Sequence, residues 1–240
     1  MNKHLSKNLA LVSILLSGLI SSGKVLAIEP KEPENVDLNS LIQETQNSSS
    51  NDGMSLVWWL PHEFWEVAFS QDESLSEVDR QELLNILEPY FMLGVVQGEI
   101  SPLGNAKFYD LEQVKNNLTL AYENNDGTTQ TLAPAAEIAP EVELLQNTVR
   151  PILEQMMGNL GRNFHFLTFE DRSTAGIRQI SPYEDGKIIV NLSGNNEIAP
   201  SNFTIDLPLN ALYVPRICPN GKEAHISWQY CPWDGSKLEQ

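Results

Sequence analysis

The chain has 240 residues, and its 32 acidic residues outnumber its 15 basic residues, which gives a formal net charge of −17 at pH 7. So acidic a surface argues against nucleic acid and anionic lipid as partners, because both carry negative charge themselves. No Asp-x-Asp-x-Asp-Gly loop occurs in the chain, so the acidity indicates a solvated surface rather than a calcium site.

Residues 1–27 have the features of a signal peptide. Lys3, His4 and Lys7 form a positive start, an apolar run follows, and small residues precede a cut after Ala27. The run is too short for a comfortable membrane span. We therefore expect an exported protein, periplasmic, lumenal or extracellular, with no stable membrane span after cleavage. Cleavage removes three lysines and no acidic residue, which leaves a formal charge of −20.

Residues 28–53 are acidic and proline-rich at the start and polar at the end. Such a composition buries too little apolar surface to fold alone, so it predicts an acidic, disordered linker. A short helix over 37–45 is the one element that fits within it. Beyond the linker, 187 residues remain, which is enough for one core and a small appendage.

Residues 54–212 are predicted to form an α+β body. Helices are expected after Pro61, behind the capping motif at 76–79, and over 140–160, where Pro151 should introduce a kink. Helices and strands mix without a regular βαβ alternation, which predicts a mainly antiparallel sheet with helices on one side. The main predicted strands are 90–97, 118–122, 128–132, 163–169, 187–192 and 203–207. The apolar residues of the long helix that should face the core are Val142, Leu145, Val149, Ile152, Leu153, Met156 and Leu160.

Three side chains of the body are candidates for a hydrolytic site: His62, Glu66 and His165. The run from His62 to Glu66 is similar to His-Glu-x-x-His, in which two histidines one turn apart bind zinc. Glu66 replaces the second histidine, so a structural histidine is the favoured interpretation, and His165 fits a core histidine within a strand. The chain has no Gly-x-Ser-x-Gly elbow. The sequence therefore favours a protein that is not an enzyme. A secreted hydrolase with a carboxylate or metal-assisted site remains the alternative.

Both cysteines lie near the C-terminus. Cys218 and Cys231 are each followed by proline and soon after by glycine, which is typical of a tight turn that points ligands at a metal ion. Asp234 stands where such a turn would have a second cysteine, and His225 or Glu223 could complete a tetrahedral zinc site. A disulfide is the other outcome, since a hairpin could join the two sulfurs in an oxidising compartment. The expected cofactor is accordingly none, or zinc.

The run from Trp228 to Leu238 resembles the closing half of a zinc ribbon, in which an aromatic residue precedes Cys-Pro-x-Cys-Gly-x-x-Leu. The whole chain resembles uncharacterised secreted bacterial proteins that end in a degenerate ribbon of this kind. The resemblance implies a ribbon-like β-hairpin for residues 213–240 that descends from a metal site, and it implies no activity. The oxidising compartment that a signal peptide implies favours a disulfide between Cys218 and Cys231.

We therefore expect a secreted binding or scaffolding protein whose partner is another protein. An exposed aromatic tail on an acidic body would favour this function. A cleft in which the two body histidines and Glu66 converge would favour the hydrolase.

Overall fold

A computed structural model describes residues 28–50, 53–101, 103–194 and 199–238, so the predicted signal peptide lies outside the described residues. Two antiparallel sheets form the centre of the protein, and a two-stranded hairpin follows near the C-terminus. The strands are β1 (Gln46–Ser49), β2 (Met54–Leu60), β3 (Tyr90–Ile100), β4 (Ala106–Phe108), β5 (Leu118–Asn124), β6 (Thr129–Thr131), β7 (His165–Glu170), β8 (Gly186–Leu192), β9 (Ser201–Leu207), β10 (Arg216–Ile217) and β11 (Glu223–Ala224).

Six α-helices and two short 3₁₀ helices, Pro33–Asn35 and Asn210–Leu212, accompany the sheets in the described residues. No helix in this part of the chain is long and apolar enough to cross a bilayer. The combination of helices with antiparallel sheets confirms the predicted α+β class. The α-helices are α1 (Leu38–Thr45), α2 (His62–Ser70), α3 (Glu77–Leu87), α4 (Leu111–Asn117), α5 (Pro140–Met157) and α6 (Asn159–Arg162).

The first sheet is built around β3. Strands β1 and β2 lie on one side of it, and β4 and β7 share its other side, with Val95 opposite His165 and Gly98 opposite Phe108. Every residue from Phe91 to Gly98 is buried, so both faces of this strand are covered.

The second sheet has the order β6-β5-β8-β9. In β9 the buried residues alternate with exposed ones, so one face of this edge strand packs on the core and the other faces water. Polar contacts join the two sheets: Gln97 donates to the carbonyl of Ser193 at 3.1 Å, and the Ser201 and Ser55 hydroxyls are 3.3 Å apart. The body thus has two sheets around one core rather than the single sheet that the sequence predicted.

The segment before β2 is folded onto the body. Asp37 caps α1 by accepting hydrogen bonds from two backbone amides of its first turn, and β1 pairs with β2. Leu41 is fully buried, and the Glu44 carboxylate accepts hydrogen bonds from the amides of Asn210 at 2.6 Å and Ala211 at 3.0 Å. The predicted disordered linker is therefore wrong for residues 28–50. Its average composition is polar, but the body supplies the apolar surface and the hydrogen-bond donors that the segment lacks.

Helix α5 buries a narrower face than its periodicity predicts. Val142 and Leu153 are buried, whereas Ile152 is 52% exposed and Met156 is 76% exposed. The helix ends at Met157, and the positive φ of 59° at the next residue, Gly158, turns the chain into α6. Because the chain changes direction there, the apolar face is not continued along one axis, and the predicted helix to residue 160 divides into two.

Candidate functional site

The C-terminal module, residues 216–238, consists of two tight turns next to the hairpin β10–β11. In the first turn the amide of Cys218 donates to Lys222 and the amide of Gly221 donates back to Cys218, both at 2.8 Å. In the second turn the amide of Cys231 donates to a backbone carbonyl at 2.8 Å and the amide of Gly235 donates to Cys231 at 2.9 Å. Gly221 and Gly235 have φ of 80° and 73°, a conformation that side-chain-bearing residues rarely adopt.

A disulfide joins the two turns. The Cα atoms of Cys218 and Cys231 are 5.8 Å apart, within the range that a disulfide spans. Both residues are buried, and together with Ala224 and Leu238 they form a small apolar cluster separate from the main core. Of the two outcomes that the sequence left open, the structure contains the disulfide, which is typical of proteins in oxidising compartments.

The residues proposed as zinc ligands do not assemble around one point. The sulfurs of both cysteines are bonded to each other and are not free thiolates. The Asp234 carboxylate accepts hydrogen bonds from the amide and the hydroxyl of Ser236, at 2.9 and 2.7 Å, and these bonds lower its pKa. The His225 Nδ1 atom lies 2.8 Å from the Ser227 hydroxyl, and burial lowers the pKa of this imidazole.

Across the described residues, no three histidine, cysteine or acidic side chains come together as a metal site would require. Glu223, the other ligand considered, lies exposed on β11. The residues of the module therefore do not fit a zinc ion in this disulfide-bonded state.

The candidate hydrolytic residues also lie apart. His62 and Glu66 face each other at 3.4 Å on α2, and the His165 ring is 2.9 Å from the carbonyl of Tyr109. His165 belongs to β7, whereas His62 follows β2, and these two strands flank β3 on opposite sides, about 10 Å apart. Each histidine has its own partner, and the two do not share a site.

The exposed aromatic side chains of the protein all belong to the C-terminal module. Trp228 is 41% exposed, Tyr230 57% and Trp233 47%, while every other aromatic side chain is buried or half-buried. The Trp228 and Trp233 rings meet edge to face with centroids 6.2 Å apart, and the Lys222 ammonium lies 5.0 Å from the Trp233 centroid. Both distances are in the favourable range, for an aromatic pair and for a cation–π contact respectively. These contacts hold the Trp228 and Trp233 rings in place although both rings are exposed to water.

The module also differs from the body in charge. Residues 216–238 contain three basic and two acidic residues, so their formal charge is +1, whereas residues 28–215 carry −20. A nearly uncharged aromatic module therefore lies next to a strongly acidic body. An exposed apolar surface with a polar surround is a common feature of sites where another macromolecule docks.

A buried ion cluster escaped prediction from the sequence. Arg178 donates to both carboxylate oxygens of Glu63, at 2.7 and 3.0 Å, and to Asp171 at 3.3 Å. Burial raises the pKa of Asp171 to about 6, against the lowering effect of Arg178. The cluster links Glu63 on α2 to Asp171 and Arg178 in the segment between β7 and β8. Because the carboxylates and the guanidinium bind one another, the cluster has a structural role. No sequence pattern links Glu63 to a residue 115 positions away.

The chain was compared with protein-family models, with characterised proteins and with solved structures, and it matches none of them.

Proposed function

We propose that this is an exported binding or scaffolding protein that holds a partner protein with its ribbon-like C-terminal module. The observation that carries the proposal is the placement of all three exposed aromatic side chains, Trp228, Tyr230 and Trp233, on this one module. Tryptophan and tyrosine are enriched among the few residues that dominate the energy of protein interfaces. The disulfide and the predicted signal peptide support a location outside the cytoplasm.

The hydrogen bonds within the module and between the module and the body support the same function. Arg216 donates to the carbonyls of Ile226 at 3.0 Å and Trp228 at 2.6 Å, and the amide of Ile226 donates to the Asn210 side chain at 2.9 Å. These bonds and the disulfide hold the Trp228 segment before any partner arrives. A surface that is already ordered loses less conformational entropy on binding, so more of the contact energy appears as affinity.

The test is quantitative capture from the exported fraction of the cells that produce the protein. Wild-type protein and a Trp233→Ala variant are immobilised at equal density, and the retained proteins are identified and titrated. We expect a protein that binds the wild type and binds the variant at least about 30-fold more weakly, the effect of losing an interface residue worth about 2 kcal/mol.

The matched control is Leu103→Ala, which removes a side chain that is 89% exposed in the turn between β3 and β4 of the body. This variant should retain the partner with unchanged affinity. The proposal would be refuted if the wild type and Trp233→Ala captured the same proteins with the same affinity.

A further inference from the structure

A cleft of about 510 Å³ lies where the C-terminal module meets the body, within the usual size of small ligand sites. Tyr183 and Tyr213 line it from the body, and Trp228 lines it from the module. Glu184 and Asp185, in the loop before β8, add two carboxylates to the same cleft. Trp228 therefore belongs both to the exposed aromatic surface and to this concave site.

The two tyrosines form a neutral aromatic wall. Their rings meet edge to face with centroids 5.6 Å apart, and the Tyr213 hydroxyl donates to the carbonyl of Tyr183 at 2.9 Å. Burial raises the pKa of Tyr213, and the negative charges of Asp185 and Glu184 raise it further. The carboxylates thus lie close enough to act on the aromatic wall, whose hydroxyls stay protonated at neutral pH.

Within the residues that the structure describes, no lysine, arginine or histidine side chain pairs with the two carboxylates. Glu184 and Asp185 are exposed, and neither side chain has a hydrogen bond or an ion pair with another residue of those ranges. Arg216 is the basic residue that lines the cleft, and its guanidinium donates to the carbonyls of Ile226 and Trp228. The cleft therefore offers negative charge beside aromatic side chains.

We propose that this cleft receives the cationic side chain of a lysine or arginine on the partner protein, between Glu184 and Asp185 and against the rings of Tyr213 and Trp228. This inference rests on the proposed function, because it takes the docked partner as the source of the cation. An aromatic face attracts an organic cation, and carboxylates bind it through charge-assisted hydrogen bonds. The acidic body would also draw a basic surface towards the module.

Other ligand classes fit the cleft less well. An anionic ligand would meet two like charges, and the Arg216 guanidinium in the same cleft is already bonded to two carbonyls. A purely apolar ligand would desolvate both carboxylates without giving them a partner. A hard metal cation takes oxygen ligands, so the aromatic rings of the cleft would contribute nothing to its binding. An organic cation satisfies the carboxylates and the rings together.

The test is an NMR titration of the purified protein with Nα-acetyl-lysine methylamide, a model of a lysine side chain within a protein. We expect a saturable shift of the Trp228 indole N–H resonance, with the resonance of Trp59, which is buried in the main core, as an internal reference. The Nε-acetylated compound, which lacks the charge, should leave both resonances in place. A shift of equal size with this neutral compound would overturn the inference.

A pair of double variants separates the local carboxylates from the general acidity of the protein. The double variant Glu184→Gln/Asp185→Asn should weaken binding at least about tenfold, which corresponds to about 1.4 kcal/mol. The control Glu141→Gln/Glu143→Gln removes the same charge from two exposed residues in the first turn of α5 and should change the dissociation constant less than about twofold. Equal weakening in both would overturn the inference.

Further measurements identify the source of the cation and separate this inference from the proposed function. If 1,4-diaminobutane bound at least about tenfold more tightly than the lysine model, the cleft would be a site for free polyamines and not for a side chain. If Glu184→Gln/Asp185→Asn kept the full affinity for a protein whose capture depends on Trp233, the proposed function would stand and this inference would fall. If the lysine model bound as expected while Trp233→Ala captured normally, the failure would lie with the proposed function.

Discussion

Replacing both cysteines by serine should open the C-terminal module and leave the body folded. The disulfide joins residues 13 positions apart, and closing a loop of this length is worth about 3 kcal/mol through the entropy of the unfolded chain. Apart from Ile226, which is buried in the main core and bonded to Asn210, the module has little else to offset that loss. Its own apolar cluster has only four buried members, and its two strands have two residues each.

Amide hydrogen exchange measures the effect residue by residue. In the wild type the amides of Cys218 and Cys231 donate to backbone carbonyls at 2.8 Å. In the Cys218→Ser/Cys231→Ser variant these amides should exchange roughly 100-fold faster, which is about 3 kcal/mol expressed as an opening equilibrium. The amides of β3 should keep their protection, because that strand lies in the separate main core. The fluorescence of Trp228 and Trp233 should change in parallel.

Reduction of the wild-type protein should reproduce the behaviour of the double variant, which controls for the serine hydroxyls. Unchanged exchange at the two turn amides would mean that the module is held by its contacts with the body rather than by the disulfide. Simultaneous loss of protection in β3 would mean that the module and the body unfold as one unit, and either result would refute the reasoning.

Three further predictions concern the body. Leu41→Ala should lower the free energy of unfolding in urea by about 2–5 kcal/mol, because Leu41 is fully buried, and a loss under about 1 kcal/mol would show that residues 28–50 pack loosely. On α5, Leu153→Ala should cost about 2–5 kcal/mol in the same assay and Met156→Ala under about 0.5 kcal/mol, and equal losses would contradict the one-sided burial of the helix. Because burial raises the pKa of Asp171 from 3.8 to about 6, the folded state holds this proton more tightly than the unfolded chain does, and stability is lost as the pH rises between these values. Relative to Asp171→Asn, the wild type should lose up to about 3 kcal/mol from pH 4 to pH 7 in urea titrations, and a pH-independent difference would show that Asp171 does not titrate in this range.

Local signals in the sequence predicted much of the secondary structure. Ser76 caps α3 by accepting a hydrogen bond from the amide of Asp79 at 3.2 Å, as the motif indicated. Gly221 and Gly235 occupy the left-handed conformations that the two Cys-Pro turns require. These features depend on residues at most five positions apart, so the sequence contains all the information that they need.

The bonding of the two cysteines could be predicted from the sequence only in part. The sequence placed Cys218 and Cys231 in turns near each other but left zinc and a disulfide open, because both need sulfurs brought close. The structure joins the two sulfurs in a disulfide, and Asp234 and His225 each bind a nearby serine.

By itself, the sequence determined the α+β class, most helix and strand positions and the two turns of the module, because these follow from short-range sterics, capping and periodicity. Only the tertiary structure decided that residues 28–50 are packed, which side of α5 is buried, that Arg178 pairs with Glu63, and that Trp228 faces a cleft with two carboxylates. Each of these depends on surfaces contributed by distant parts of the chain. Burial and ion pairing are properties of that assembled surface, and no window of neighbouring residues contains them.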